Sequence, residues 1–560
     1  PIGYVDFTFS ADKTISLAWA FAPTEAERNQ LAQAHKDAVA ATMAEIEQVI
    51  GQARKGKGGK EGTEQGRIGW ITFDHYTARP TLEIARETAD GRTETEIVSV
   101  KVAGDPQLHT HVAVPNVIVT ESGRVVSLNT LQMHGRIHEW GAIYQAHLAQ
   151  NLRRAGASIE LDRTTGAARL SAVPEEIRAA FSKRTRDALS DAKAYAASVG
   201  AEWDRMTGDE RIRLLKGGAF ASRSAKADDM SDFASWRRQA EERGYQHKSV
   251  LQDAAPAENL TETARLDRAY EAAARVLGEQ FARRAVIKDE DERVAAARGL
   301  VAAGIKDGGD VDRVIARLRA RGVVETGVSA GNGEPARTQI IAVETERDDP
   351  DNPDVKITTT RLTTRAHVAQ ESALVELAGQ AGRDRRGTLN PAQIKRGIAA
   401  SGLSFTGEHG VAQRRMIDHL GMGGRFAVGI GAAGAGKTTL LKPLVAAWRE
   451  QGADIHGISL GWRQARELRE AGLNTEAEAG GRDTIAAVSV FINRVESGRL
   501  DLSNRSVVVI DELGTIGTRQ MLDLLRLQER HGFRMVAIGD PKQCQSIEAG
   551  QVIGLLENCL

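Results

Sequence analysis

Cysteine is nearly missing from this chain. Two occur in 560 residues, Cys544 and Cys559, which excludes a disulfide scaffold and any cysteine-rich zinc module and fits a reducing cytoplasm. No run approaches ~18 uncharged apolar residues, so no membrane insertion is expected. An excess of charge of either sign is missing too. The net value is −1, so no global basic field attracts nucleic acid, and any such contact must be a local patch. No repeat with a period of ~20–50 residues is present. No methionine opens the chain. It begins within a strand-like run at Pro1-Ile-Gly-Tyr-Val-Asp6 and stops within a helix-like run at Leu555-Leu-Glu-Asn-Cys-Leu560. A fragment truncated at both ends is the expectation.

What is present is ordinary for a soluble globular protein: 41% hydrophobic and 27% charged residues. The length suits about three or four domains. Residues 1–253 mix strands and helices. Tyr4-Val-Asp-Phe-Thr-Phe-Ser10 alternates strictly, with Val5, Phe7 and Phe9 on one face and Tyr4, Asp6, Thr8 and Ser10 on the other. Ser10 is the expected N-cap of the helix that follows. Arg54-Lys-Gly-Lys-Gly-Gly-Lys60 reads as a mobile basic loop. Strands are predicted near 67–75, 95–102 and 109–119, a helical region over 124–153, and mostly helix over 171–250. Residues 254–402 read as a helical linker or accessory region, with a polar turn at Asp348-Asp-Pro-Asp-Asn-Pro-Asp354. The last domain is expected over 403–560.

That last domain carries three phosphate-handling elements. Gly431-Ala-Ala-Gly-Ala-Gly-Lys-Thr438 follows the apolar run Phe426-Ala-Val-Gly-Ile430, the order of a strand, a glycine-rich turn and a helix start. Glycines 431, 434 and 436 let backbone N–H groups face a phosphate, and a helix beginning at Lys437 adds its N-terminal field. Lys437 would reach the β- and γ-phosphates. Thr438 would ligate Mg²⁺, beside Thr439. Val507-Val-Val-Ile-Asp-Glu512 ends a buried-type strand in two carboxylates. Asp511 would hold the magnesium through water, and Glu512 would act as general base toward the attacking water. Ile538-Gly-Asp-Pro-Lys-Gln543 is the third element, with Gln543 as γ-phosphate sensor. Alone, the glycine loop could be a turn and the carboxylates a solvated pair. Their order points to ATP with Mg²⁺.

At the other end, His109 and His111 lie two apart in Gln107-Leu-His-Thr-His-Val-Ala-Val114. In a strand they share one face, while Leu108, Thr110, Val112 and Val114 face a core. Two such imidazoles can bind one divalent metal. His75, ending Trp70-Ile-Thr-Phe-Asp-His75, is the chosen third ligand, and Asp6 could orient a histidine or take a proton. A His-x-His pair alone is more often two half-exposed strand histidines. Trp140, Tyr144 and Trp203 are candidates for base stacking, though helical spacing more often makes the first two core. Lys183 and Arg184 are candidate phosphate contacts.

Residues 403–560 resemble superfamily 1 helicases of the RecD-like class. One departure is His409 in Thr406-Gly-Glu-His409, where that class has an adenine-reading glutamine. Asp105-Pro-Gln-Leu-His-Thr-His111, with Thr8-Phe-Ser-Ala-Asp-Lys-Thr-Ile-Ser16 upstream and Phe181-Ser-Lys-Arg-Thr185 beyond, resembles the relaxase domain of conjugative relaxase–helicases, the TraI/TrwC-like, MobF-type family. The resemblance implies an α/β multidomain chain. It would consist of an α+β relaxase domain with an antiparallel sheet and a histidine-cluster palm, the linker region, and a RecA-like parallel α/β lobe with its second lobe missing. It implies nicking of single-stranded origin-of-transfer DNA by tyrosine transesterification, coupled to ATP-driven unwinding. His75, His109 and His111 would hold Mg²⁺, Mn²⁺ or Zn²⁺, and Asp6 would assist a tyrosine expected upstream of Pro1. Tyr4 reads as structural and Tyr76 as a weaker candidate nucleophile. A type IV secretion coupling protein and accessory relaxosome proteins are the implied partners. A repair or replication helicase with a structural histidine cluster, and a non-catalytic single-stranded-DNA-binding fragment, are the competing readings.

Overall fold

A computed structural model describes residues 3–559 apart from 57–61, 79–80, 88–92, 100–104, 129, 134, 182–192, 194–195, 198–201, 204–205, 207–209, 212–213, 215–228, 253–259, 331–333, 350–351, 433–435, 438, 460–467, 470, 474–484, 541–549 and 558. Two compact units form. One comprises residues 1–277 and 289–321, the other 278–288 and 322–560. No helix among the described residues is long and apolar enough to cross a membrane.

The first unit opens with β1 (Tyr4–Ser10), α1 (Lys13–Phe21) and α2 (Glu25–Ile50). Ser10 does not cap α1, because it is still paired with His109 in the sheet. Asp12 does, accepting from the Thr14 N–H at 2.8 Å. Strands follow as β2 (Gln52–Arg54), β3 (Thr63–Ile68), β4 (Ile71–Ala78), β5 (Thr81–Glu87), β6 (Thr93–Ser99), β7 (Asp105–Pro115), β8 (Ile118–Thr120) and β9 (Val125–Val126). The single strands expected over 67–75 and 109–119 are each two strands, broken at Gly69-Trp70 and Asn116-Val117. The helical region expected from 124 starts later, as α3 (Ile137–Arg154). The unit continues through β10 (Ile159–Leu161), β11 (Ala168–Leu170), α4 (Glu175–Ala180) and α5 (Asp229–Glu241).

Three strands, in the order β1-β7-β4 and antiparallel throughout, form the sheet that matters. Its lower face packs on α3: Phe7 meets Trp140 edge-on at 5.9 Å and Phe9 meets Tyr144 at 5.3 Å. Trp140 and Tyr144 are therefore core and cannot stack on bases. Trp203 is also buried, with the Arg211 guanidinium over its ring. Lys183, Arg184 and residues 57–60 of the basic loop lie outside the described residues.

Helices α6 (Glu262–Arg283), α7 (Asp289–Ala303) and α8 (Gly309–Arg321) match the alanine- and arginine-rich helical expectation. The rest of 254–402 holds strands as well: β12 (Ile287–Lys288), β13 (Val323–Ser329), β14 (Pro335–Thr338), β15 (Ile340–Asp349) and β16 (Asn352–Thr364). The polar run expected as a turn or linker falls where the paired strands β15 and β16 meet, with residues 350–351 outside the described residues.

The second unit then runs α9 (Arg365–Arg383), α10 (Pro391–Ser401), α11 (Gly407–Met422), β17 (Phe426–Ile430), α12 (Leu441–Glu450), β18 (Asp454–Ile458), β19 (Ile485–Ala486), α13 (Val488–Glu496), β20 (Ser506–Ile510), α14 (Thr518–His531), β21 (Arg534–Gly539) and α15 (Val552–Glu557). Its sheet is parallel in the order β17-β21-β20-β18-β19. Both faces are buried, as such a sheet requires. Val508, Ile510, Met535 and Ala537 pack toward α9, α13 and α14. Val507, Val509, Val536 and Ile538 pack toward α10, α11 and α12.

Arg534 is a buried charge of this core. It donates to the carbonyls of Leu420 at 2.7 Å, Gly421 at 3.1 Å and Gly423 at 3.2 Å, closing the C-terminus of α11. Burial lowers its pKa to about 10. Arg534→Met is expected to lower unfolding stability by roughly 2–4 kcal/mol, because those carbonyls lose their donor away from water. Urea unfolding of the full chain measures it, and an unchanged midpoint would refute the assignment.

Candidate functional site

The histidines sit on the upper face of β7. That strand buries Leu108, Thr110, Val112 and Val114 and turns His109 and His111 outward, as its alternation requires. β4 pairs with it so that His75 lies opposite His109 and Phe73 opposite His111. β1 pairs on the other side, with Ser10 opposite His109, Thr8 opposite His111 and Asp6 opposite Ala113. Ring centroids are 5.2 Å apart for His75–His109, 5.1 Å for His75–His111 and 5.4 Å for His109–His111. Imidazoles around one ion, with ~2.1 Å nitrogen bonds at tetrahedral angles, would show roughly 5 Å.

As the side chains stand, no set of three or more His, Cys, Asp or Glu among the described residues is ready to hold a metal. The three rings nonetheless stand on adjacent strands of one sheet face. Two rings are already oriented. His111 Nδ1 lies 2.9 Å from Asp6 Oδ2 and 3.2 Å from Thr8 Oγ1. His109 Nδ1 lies 3.0 Å from the Gln107 carbonyl. With Nδ1–H donating in each case, the lone pair is on Nε2, the state that suits a ligand backed by a carboxylate or carbonyl.

Beneath the cluster runs a directed hydrogen-bond chain. Thr110 donates to Asp74 Oδ1 at 2.8 Å, so it must accept from His35 Nε2, also at 2.8 Å. His35 Nδ1 then accepts from the Tyr144 hydroxyl at 2.7 Å. Lys36 closes the chain on Asp74 Oδ2 at 2.9 Å. This order needs neutral His35. Burial lowers its pKa to about 4, with Asp74 opposing and His109 and Lys36 assisting that shift. For Asp74, burial works upward, but the Lys36 and Thr110 hydrogen bonds outweigh it and its pKa is lowered. His147, on α3, is lowered to about 4 by burial as well.

The tyrosines are placed differently. Tyr4 is exposed on the Asp6 face, but four residues along β1 from the His111 row, or about 13 Å. Tyr76 lies within the irregularity between His75 and Thr77 in the β4–β7 pairing and stacks on Trp19 at 5.0 Å, 11° from parallel.

In the second unit, the expected phosphate loop leaves β17 at Gly431, whose N–H donates to the Gly539 carbonyl at the end of β21. Lys437 Nζ donates to the carbonyls of Gly431 at 2.8 Å and Ala432 at 3.1 Å, and lies 3.7 Å from Asp540 Oδ2. Asp540 was missed by motif reasoning, although the Gly-Asp-Pro run at a strand end signals it. Helix α12 begins at Leu441, not at Lys437. Pro443 has no N–H to give Thr439, so it fits only the first turn. Gly436 has φ +74° and Thr439 lies in the turn before α12. Asp511 is buried at the end of β20 and accepts the Glu512 N–H at 3.0 Å. Glu512 has φ 56°, the one positive value among described non-glycine residues, and such strain clusters at functional sites. Gly434, Thr438 and Gln543 lie outside the described residues. Near the loop, the structure brings up Gln413 of α11, one turn beyond His409. Its Nε2 is 3.0 Å from where a Cβ on Gly436 would stand.

A family model described as TrwC relaxase matches residues 2–243, and one described as AAA domain matches residues 408–559. The chain joins a TrwC relaxase domain to an AAA domain. Curated relatives are a probable conjugal transfer protein TraA of Sinorhizobium fredii (strain NBRC 101917 / NGR234), 36% identical over 25% of this chain and 12% of that protein, and a conjugal transfer protein TraA of Rhizobium radiobacter, 30% identical over 34% and 16%. The chain thus matches only a small part of those relatives' length. Two solved structures of conjugative relaxase TrwC with OriT DNA, one metal-free and one metal-bound, are each 25% identical with a TM-score of 0.30. They cover 43% and 44% of this chain and 74% and 73% of their own.

The buried histidines set an acid limit on the relaxase domain. Above pH 6.5 both folded and unfolded forms are neutral, and no stability is lost. Between 6.5 and about 4 the unfolded chain takes protons that buried His35 and His147 refuse. Stability should therefore fall as pH drops through that window, by roughly 3 kcal/mol per histidine at most. Urea unfolding from pH 7 to 4 tests this, and His147→Gln should flatten part of the slope.

Proposed function

We propose that the parent activity is nicking of single-stranded DNA at an origin of transfer, coupled to ATP-driven unwinding by the carboxy-terminal lobe. The observation that carries this is the mutual ~5 Å spacing of three imidazoles on one open sheet face, with Asp6 behind one of them. In this reading residues 1–253 are the nicking domain, 254–402 a linker or accessory region and 403–560 the motor lobe.

His75, His109 and His111 would hold a divalent metal, which when bound offsets charge developing on the phosphoryl oxygens. Asp6 keeps the proton on His111 Nδ1 through one carboxylate oxygen. Its other oxygen is the proposed acceptor for the proton of the attacking tyrosine. Tyr4 is too far along the sheet and Tyr76 too engaged with Trp19 for that role, so another tyrosine supplies the hydroxyl. The attack would exchange one phosphodiester for another: the new bond joins the tyrosine oxygen to phosphorus, and the 3′-oxygen leaves. In the AAA domain, Lys437 would exchange its loop carbonyls for nucleotide phosphates, with Asp511 near Mg²⁺ and Glu512 acting on water. A cytoplasmic setting, a coupling protein and accessory relaxosome proteins belong to the same reading.

Two substitutions in the full chain test it. Asp6→Asn should weaken binding of Mn²⁺ or Zn²⁺ by about 10–100-fold in calorimetry, because His111 loses its carboxylate partner. Metal binding that survives joint replacement of the three histidines by alanine would overturn the metal assignment. Lys437→Ala should abolish ATP binding while single-stranded DNA and metal binding remain. Joint loss would contradict two independent sites, and absence of metal binding by the unaltered chain would favour the repair-helicase reading with a structural histidine cluster.

A further inference from the structure

The open face of the β1-β7-β4 sheet carries more than histidines. Phe73 is 51% exposed and Ile71 59% exposed, in the same strand as His75. A lone exposed apolar residue means little. These two share a face and a register with the histidine cluster. The rows across the sheet read Thr8–His111–Phe73 and Asp6–Ala113–Ile71. Directly opposed residues in an antiparallel sheet point to the same side, with Cβ atoms about 5 Å apart. Phe73 therefore stands beside His111, on the side of β7 away from Asp6. His75, two residues on, lies on the same side of its strand.

A phosphate handled by the imidazoles would have one nucleoside above β4. Phe73, flanked by Ile71, offers that nucleoside a flat aromatic surface at the edge of the cluster. We propose that Phe73 is the stacking platform for a nucleobase of single-stranded DNA next to the phosphate at the histidine cluster. This rests on the nicking reading above and assigns one substrate contact within it. Only an unpaired base can lie flat on a sheet in this way, so the contact selects single-stranded over duplex DNA without reading sequence. Phe73 is thus a positioning residue, separate from the metal ligands.

The experiment uses the full chain and short single-stranded oligonucleotides carrying 2-aminopurine at successive positions. Because Phe73 is half exposed, its replacement should lower the melting temperature by only a few degrees. Phe73→Ala should weaken binding about tenfold and restore 2-aminopurine fluorescence at one position. Phe73→Trp should retain affinity and quenching. Phe73→Leu should behave like the alanine variant, because it lacks a ring face. Mn²⁺ affinity should be the same in all four proteins. If the unaltered chain binds the oligonucleotides and Phe73→Ala binds them equally well, the platform is refuted while the nicking reading stands. If Phe73→Leu matches the unaltered chain, the patch is a plain apolar contact, as for a covering protein segment, and stacking is refuted. If the unaltered chain binds neither oligonucleotide nor Mn²⁺, the nicking reading fails and the platform with it.

Discussion

The relaxase domain depends on the two-faced alternation of one strand. β7 places Thr110 downward between His109 and His111, which point upward. Thr110 is held by Asp74 from the neighbouring strand and by His35 from the helix below. A slip of one residue would exchange the faces, burying two imidazoles and exposing Leu108 and Val112. The polar chain from Tyr144 to Lys36 makes such a slip costly beyond its apolar term, since every buried partner in it would be orphaned. The histidine geometry is thus a by-product of core packing, and its precision comes from the buried side.

The AAA domain solves a related problem with backbone. Its sheet is buried on both faces, so chemistry is confined to the strand ends, where β17, β20 and β21 release their chains side by side. Lys437 is held there by loop carbonyls, and Glu512 is held in a conformation its side chain disfavours. The ammonium is kept in place by two loop carbonyls, with the Asp540 carboxylate 3.7 Å away.

Much of both sites was legible in the sequence because each rests on a short-period signal. Alternation in 4–10 and 107–114 set the histidine and Asp6 faces, and glycine spacing with flanking apolar runs marked the candidate phosphate loop after β17. Other features were not legible, for identifiable reasons. The β15–β16 hairpin has no apolar face along most of its length, since residues such as Glu344, Thr345, Glu346 and Arg347 give no alternation to read. The start of α12 is set by Pro443, six residues beyond the lysine that motif reasoning takes as the helix start. The cap of α1 belongs to Asp12 because Ser10 is claimed by a strand partner nearly a hundred residues away in sequence. Gln413 reaches the loop through tertiary placement, which no local pattern encodes.

Strand separation along the chain has a temporal consequence. β1 and β7 are paired through Thr8 and His111, |i−j| = 103, and the β5–β6 hairpin lies between the two strands that carry the histidines. Local helices such as α2 and α3 can form early, but the histidine face exists only after two long loops have closed. Loop closure of this kind is entropically slow and gives nothing back until the final pairing is made. The histidine face therefore matures late in folding, and a chain still on its way to the native state presents separate histidines instead of a cluster.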